Sequence, residues 1–267
     1  MSILEAIVLG AVQGITEFLP VSSSGHLVLL QRILGISEPT LFFDTMLHVG
    51  TLAAVFIVLW KDIWAILCRP VQKLTGFLIL ATLPMVVIAL VFKDAVEAAF
   101  HSPTFLGFLF LVTATVLVVS EVLSRRSGKQ RTADDMTWVD ALVIGLFQGA
   151  AIMPAISRSG MTLSGALIRK LDRDFAARFS FLLSIPAILG ALVFQLKDLF
   201  GGEGNFEAGI SLVPIIAGTL TAALVGVFSV RLMLKIVRER SLFGFAIYVS
   251  ILGILIIIDQ FATHLFF

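Results

Sequence analysis

Apolar runs long enough to cross a membrane recur along the chain. A helix needs about 20 predominantly apolar residues to span the hydrocarbon core of a bilayer. Six stretches approach this length and carry few charges, so they predict six full transmembrane helices. They are residues 41–60, 76–92, 105–122, 175–196, 210–230 and 243–261. This pattern predicts an all-α integral membrane protein.

Two further apolar stretches, residues 4–34 and 138–168, are interrupted by polar residues. The first contains Pro20 followed by SSSGH, and the second contains Pro154 followed by SRSG. Proline lacks an N–H group and disfavours helix at the preceding residue, whereas serine is a good helix N-cap. Each half is too short to cross a membrane alone. We therefore predict two re-entrant helical hairpins, each entering and leaving on one side.

Composition agrees with a membrane protein and excludes several other classes. Of the 267 residues, 58% are hydrophobic and 14% are charged, whereas soluble domains carry roughly 25% charged residues. The mean hydropathy is +1.05. A net charge of +1 without a large basic patch argues against a nucleic-acid partner. The single cysteine, Cys68, excludes an internal disulfide. We expect no cleaved signal peptide, since the N-terminus lacks a basic region.

Lysine and arginine mark alternate connections, which predicts the orientation in the membrane. They cluster after the first, third and fifth predicted spans and before the fourth, so these sides are expected to face the cytoplasm. The residues are Lys61, Arg69, Lys73, Arg125, Arg126, Lys129, Arg131, Arg169, Lys170, Arg173, Arg231, Lys235, Arg238 and Arg240. This orientation puts the first hairpin on the outer side and the second on the inner side.

The two interrupted stretches align with each other when Gln13 is placed on Gln148. Matching residues are then identical at Ala6, Val8, Gly10, Gln13, Gly14, Ser22, Ser24 and Gly25, which meet Ala141, Val143, Gly145, Gln148, Gly149, Ser157, Ser159 and Gly160. We predict one membrane domain, residues 1–267, built from repeats of about 1–124 and 138–267. Each repeat would hold one hairpin and three spans, and the odd number would invert the second repeat. Inverted repeats place their site near the midplane, at broken helices.

The two breaks carry different chemistry. Glu17, Ser23 and His26 lie at the first, and Arg158 lies at the second. A charge at the bilayer centre costs about 2.5–3.5 kcal/mol, so each needs a partner or a charged ligand. Helix N-termini and arginine bind phosphate. A carboxylate there fits a hard divalent cation, Mg²⁺ or Ca²⁺, that bridges phosphate oxygens.

These groups suggest phosphoryl transfer to water from a pyrophosphate whose other end is a lipid. The residues leave three candidates for the attacking group: His26, Ser23, or water that His26 activates. We favour His26 as the group closest to the chemistry and Ser23 as the group that assists. The rival class is a secondary transporter or lipid flippase built on the same inverted repeat.

QGITEFLPVSSSGH and PAISRSGMT closely resemble the two motifs of the undecaprenyl-pyrophosphate phosphatase, or bacitracin-resistance, family. The resemblance implies a multi-pass enzyme of the bacterial inner membrane that converts undecaprenyl pyrophosphate to undecaprenyl phosphate. It also implies a site that opens outward, requires Mg²⁺ or Ca²⁺, and confers bacitracin resistance by recycling the cell-wall lipid carrier. By motif, Gln13 and Glu17 lie by the metal, Ser23 and His26 are catalytic, and Arg158 binds phosphate. The implied substrate-binding residues are Ser22, Ser157, Ser159, Gly160 and Thr162.

Two positions depart from the family motifs. Gln13 stands where many members have glutamate, which leaves Glu17 as the main metal ligand. Ala155 replaces a glycine. If position 155 has a positive φ, alanine costs about 1 kcal/mol or more there.

Structural roles compete with each functional assignment. Glu17 and Arg158 could form an ion pair that holds the hairpins together, and His26 could be a hydrogen-bonded packing residue. The serines at the breaks are typical caps, and Thr162 is either a phosphate ligand or a helix-face hydroxyl. We interpret His48 as a core histidine rather than a cavity residue. The oligomeric state stays open, a homodimer included.

Overall fold

The computed structural model describes residues 1–36, 41–92, 103–125, 130–200 and 211–267. Within these ranges the chain is helical and contains no β-strand. A 3-10 turn at Pro103–Phe105 and a π-helix at Asp259–Thr263 accompany eleven α-helices. These are α1 Ile3–Thr16, α2 Ser23–Ile33, α3 Leu41–Val58, α4 Trp60–Cys68, α5 Lys73–Val91, α6 Leu106–Arg125, α7 Trp138–Ala150, α8 Arg158–Ile168, α9 Arg173–Phe200, α10 Leu212–Glu239 and α11 Phe243–Ile258.

Long apolar helices make this a multi-pass membrane protein. Among the described residues, α5, α6, α9, α10 and α11 contain windows long and apolar enough to cross a bilayer. The predicted span at 41–60 is instead a bent pair, because α3 ends at Val58 and α4 leaves it at 80°. The described ranges thus contain five such helices, or six if the bent pair is one span. Residues 93–102, 126–129 and 201–210, which bear on the predicted orientation, lie outside the described residues.

The two predicted breaks are confirmed, and their helices keep the register of the sequence alignment. In the register that places Gln13 on Gln148, the first residues of α1 and α7 coincide, and so do both ends of α2 and α8. The carboxylate of Glu5 accepts the backbone N–H of Ser2 at 2.7 Å. Likewise, the carboxylate of Asp140 accepts the backbone N–H of Thr137 at 2.8 Å. The first helices of the two hairpins, α1 and α7, therefore start with the same capping arrangement.

Glycines let the first helix of each hairpin pack closely against a long helix from the other half of the chain. α1 packs on α10, and α7 packs on α5. A Cβ atom added at Gly10 would lie 2.3 Å from the carbonyl oxygen of Gly218, and one at Gly145 would lie 2.6 Å from that of Ala81. Larger residues would separate these helices, since small residues allow close backbone approach. Because each of these helices packs on a helix of the other half, the two halves of the chain are in direct contact.

The two breaks meet in the interior of the protein. The hydroxyl of Ser159 donates to the carbonyl oxygen of Leu19 at 2.9 Å. A Cβ at Gly160 would lie 3.2 Å from Cβ of Pro20. Non-helical backbone is tolerated at this depth because protein groups satisfy it. The side chains that follow each break are thereby brought together.

Candidate active site

A cavity of about 330 Å³ lies between the two breaks and is also bordered by α3, α5 and α9. Corresponding positions of the two breaks line it, since Glu17, Ser22 and Ser23 at the first break align with Ile152, Ser157 and Arg158 at the second. The full lining is Glu17, Ser22, Ser23, Ser24, Thr45, His48, Met85, Val86, Ala89, Ala151, Ile152, Met153, Ile156, Ser157, Arg158, Pro186, Ala187, Ile188, Gly190 and Ala191.

Glu17 is the centre of the polar end of this cavity. It is 5% exposed. The guanidinium of Arg158 donates to Oε1 of Glu17, so the second break contacts the first directly. Oε2 accepts from the Ser23 hydroxyl at 2.6 Å and from the Gln13 amide at 2.9 Å. The predicted encounter of Glu17 with Arg158 is therefore confirmed in its geometry.

His48, rather than His26, supplies the imidazole of this cluster. Its Nδ1 lies 3.2 Å from Oε2 of Glu17 and 2.9 Å from Nε2 of Gln13. Its side chain is 31% exposed and lines the cavity. The interpretation of His48 as a core histidine is therefore wrong. A signal was available, since an ionisable residue inside an apolar span is functional by default.

The structure does not bring His26 to the lining of the cavity. Its Nδ1 donates to the carbonyl oxygen of Ser22 at 2.7 Å, and its Nε2 accepts from the hydroxyl of Tyr248 at 2.7 Å. The ring stacks on Tyr248 and meets Phe110 edge-on. Both ring nitrogens are thus occupied by the protein. The catalytic role of His26 stays a prediction.

Ser22 and Ser157 act as the N-caps of α2 and α8. Their hydroxyls accept from the backbone N–H of Gly25 at 3.3 Å and of Gly160 at 3.1 Å. Ser22 has a φ of 68° and Ala155 a φ of 63°, so each break contains a left-handed residue that costs about 1–2 kcal/mol. The departure from glycine at Ala155 therefore falls on a position of positive φ.

Three predicted phosphate-binding residues lie behind the cavity surface. Ser159 bonds to Leu19, as described above, and Gly160 packs against Pro20. Thr162 is buried on α8, where its hydroxyl bonds to the Arg158 carbonyl at 2.9 Å and lies 2.5 Å from the Ser180 hydroxyl. Ser159, Gly160 and Thr162 are absent from the lining. A role in phosphate binding stays a prediction for them.

Comparison with known proteins identifies the family. The model of the bacitracin resistance protein BacA family matches residues 6–255, which include both breaks. This chain belongs to the BacA family. It is 48% identical to an undecaprenyl-diphosphatase of Carboxydothermus hydrogenoformans over 97% of this chain and 98% of that relative. It is 48% identical to undecaprenyl-diphosphatase 4 of Bacillus thuringiensis over the full length of both. An undecaprenyl-diphosphatase of Methanosphaera stadtmanae is 42% identical over 97% of this chain and 98% of its own length.

Oxygen atoms at the polar end fit the divalent cation that the BacA-family resemblance implies. Oε1 of Gln13 is buried and has no hydrogen-bond partner among the described residues, while Nε2 of the same amide bonds to Glu17. The Glu17 carboxylate and the Ser23 hydroxyl add oxygen donors of the kind that Mg²⁺ and Ca²⁺ prefer. No group of three histidine, cysteine or acidic residues in the described part of the chain could hold a metal alone. Phosphate oxygens of a ligand would have to complete the coordination.

Proposed function

We propose that this protein hydrolyses undecaprenyl diphosphate to undecaprenyl phosphate and inorganic phosphate. The reaction recycles the lipid carrier for cell-wall synthesis and confers resistance to bacitracin. The observation that carries the proposal is the contact of Glu17 with Arg158 across the two breaks, at the polar end of a cavity with apolar walls. The full-length relatives named undecaprenyl-diphosphatase support it.

Arg158 holds the diphosphate. Its guanidinium lines the cavity, where one of its nitrogens pairs with Glu17. A guanidinium can also hold a phosphate group through two parallel hydrogen bonds. Arg158 is also the first residue of α8, and Ser23 is the first residue of α2. Helix N-termini favour anions. The positive ends of both helices therefore stabilise the phosphates and the negative charge that develops during transfer.

Ser23 is the nucleophile in this proposal. Its hydroxyl lines the cavity and donates to Glu17 at 2.6 Å, the arrangement of a nucleophile beside its base. The oxygen of Ser23 bonds to the terminal phosphorus while Glu17 takes the proton. The bond from that phosphorus to the bridging oxygen breaks, and undecaprenyl phosphate leaves with the electron pair. Water then cleaves the phosphoserine and releases inorganic phosphate.

His26 acts as a positioning residue for Ser23. Its Nδ1 hydrogen bond to the Ser22 carbonyl supports the left-handed residue immediately before Ser23. The Tyr248 hydroxyl, which donates to Nε2, fixes the tautomer that this bond requires. His26→Gln is expected to lower kcat more than the affinity for substrate. Direct attack by His26 would instead give a phosphohistidine.

Glu17 and Gln13 would hold a divalent cation, Mg²⁺ or Ca²⁺, together with the substrate phosphates. Glu17 would supply carboxylate oxygens, and Gln13 would supply its amide oxygen, which has no hydrogen-bond partner in the described part of the chain. When bound, the cation neutralises negative charge on the phosphates. Gln13 contributes less charge than a second carboxylate would, which leaves the cation more dependent on Glu17.

The membrane arrangement is an inverted repeat of about 1–124 and 138–267, with six spans and two re-entrant hairpins. The common register of the hairpin helices and of their caps supports it. The basic connections support an orientation with the first hairpin on the outer side of the bacterial inner membrane, and the site is proposed to open to that side, as the family resemblance implies. Single cysteines introduced by Ser24→Cys or Arg169→Cys into a Cys68→Ser background test this orientation. The measurement is their reaction with a membrane-impermeant thiol reagent added from one side of the membrane.

The decisive experiment follows phosphate release from undecaprenyl diphosphate by the purified protein. Release that requires Mg²⁺ or Ca²⁺ and stops when both are chelated supports the proposal. Rapid acid quenching is expected to trap phosphate on Ser23. Lipid flux across liposome membranes without phosphate release would overturn the proposal in favour of a flippase.

A further inference from the structure

The cavity is polar at one end and apolar over most of its remaining wall. Glu17, Ser23, His48 and Arg158 form the polar end. The apolar wall comes chiefly from α5 and α9. Cavities of about 300–1,000 Å³ enclose drug-sized ligands, so 330 Å³ holds a diphosphate and the first part of a prenyl chain. The rest of a long chain has to leave the cavity.

α5 and α9 border the cavity where apolar side chains continue onto the outer surface. Val86 of α5 and Ala191 of α9 line the cavity and are themselves exposed. Beside them, Val87 of α5 is 56% exposed. An apolar surface therefore runs from the diphosphate site to the part of the protein that faces lipid.

α5 and α9 pack loosely against each other, whereas α3 and α10 pack tightly. A Cβ at Gly50 of α3 would lie 2.3 Å from the Thr219 carbonyl oxygen of α10, and one at Gly226 would lie 3.0 Å from Cβ of Ala54. Gly190 of α9 lines the cavity, yet a Cβ there would meet no atom of the described residues within 4 Å. α5 and α9 also touch along a shorter stretch. The cavity is therefore open between α5 and α9.

We propose that the prenyl chain of the substrate leaves the cavity between α5 and α9, across Ala89, Gly190 and Ala191. The substrate then enters sideways from the bilayer, with its chain still in lipid and its diphosphate drawn inward to Arg158. This inference rests on the proposed function and adds the lipid-binding portal. Its occupant is a polyprenyl chain because one cavity joins this apolar gap to an anion site.

Gly190→Trp tests the portal, with Leu189→Trp as the matched control. Gly190 lines the cavity and a Cβ atom there has open space around it, whereas Leu189 is outside the cavity lining. Gly190→Trp is expected to lower kcat/KM for undecaprenyl diphosphate by about tenfold or more, equivalent to about 1.4 kcal/mol. Its kcat/KM for the short-chain geranyl diphosphate should stay within about twofold of wild type. Leu189→Trp should change neither.

If Gly190→Trp lowers kcat/KM equally for both substrates, or for neither, the proposed portal is wrong while the proposed phosphatase activity still stands. Failure of the wild-type protein to hydrolyse either substrate would overturn the proposed function instead. A binding measurement then still tests the portal. In a Cys68→Ser background, undecaprenyl phosphate should slow alkylation of Gly190→Cys but not of Leu189→Cys, and inorganic phosphate should slow neither. Unslowed alkylation of Gly190→Cys would overturn the portal.

Discussion

The two breaks share a backbone design and differ in their chemistry. Ser22 and Ser157 cap α2 and α8 in the same way, and each hydroxyl also lies 3.3 Å from a serine two residues later. At matched positions, however, Glu17 corresponds to Ile152, Ser23 to Arg158 and His26 to Met161. The first break therefore supplies a carboxylate and a hydroxyl, whereas the second supplies a guanidinium and part of the apolar wall. Two breaks with the same capping can thus hold an asymmetric site, because capping fixes the backbone and leaves the side chains free to differ.

The largest expected effect comes from separating the charged partners of the two breaks. Arg158→Lys keeps the charge but loses the bidentate fork. Removing a donor to developing charge costs about 10²–10³ in kcat, so we expect a loss of that size in phosphate release. Glu17→Gln should lose at least as much. Arg178→Lys, in an ion pair with Asp62 away from the cavity, is the control and should stay active. An Arg158→Lys enzyme with wild-type activity would contradict the proposed bidentate contact of the Arg158 guanidinium with phosphate.

Ser23→Ala should lower kcat by about 100-fold and abolish trapped phosphoenzyme, because the proposed nucleophile is removed. Ser24→Ala is the neighbouring control, since Ser24 also lines the cavity but has no contact with Glu17 among those described. We expect near-normal turnover for Ser24→Ala. Phosphoenzyme in Ser23→Ala would move the nucleophile to another group.

Asp140 and Glu5 cap matched helices but differ in their surroundings. Burial alone would raise the pKa of Asp140, yet hydrogen bonds from Arg131, Arg169 and Thr137 hold that pKa well below its ordinary value. Asp140→Asn should therefore destabilise the protein by about 2 kcal/mol at pH 7, and Glu5→Gln by much less.

Thermal unfolding in detergent measures both variants. A depressed carboxyl pKa gives stability that is present above the ordinary value of about 3.9 and is lost as the pH falls through the folded value. The difference between wild type and Asp140→Asn should therefore shrink below about pH 4. A difference that is independent of pH would rule out this ion-pair cluster as its source.

The smallest effect is expected at Ala155, the left-handed residue of the second break. Ala155→Gly relieves about 1–2 kcal/mol of backbone strain but removes a buried methyl group worth about 0.8 kcal/mol. A net stabilisation below about 1 kcal/mol should appear as a slightly higher midpoint of thermal unfolding. Ala177→Gly, in the helical interior of α9, should lower the midpoint instead. Destabilisation by Ala155→Gly would show that packing of the methyl group outweighs the strain.

The sequence by itself determined the long apolar helices, apart from the bend after Val58, and both breaks with the charged residues that they carry. A long apolar run in lipid satisfies the hydrogen bonds of its own backbone by forming a helix. Proline followed by serine ends one helix and starts the next. The encounter of Glu17 with Arg158 was also predictable, because neither charge is tolerated alone in an apolar interior. These features depend on local propensity and on solvation, which a linear pattern records.

Only the tertiary structure decided which histidine joins Glu17 and where the cavity opens. His26 follows Glu17 closely in sequence, yet α2 turns its ring towards Tyr248 of α11. His48 arrives from α3 because that helix packs beside α1. The gap at Gly190 likewise depends on how far α5 stands from α9. Side-chain direction and the spacing between helices follow from packing among distant segments, which periodicity along one segment does not encode.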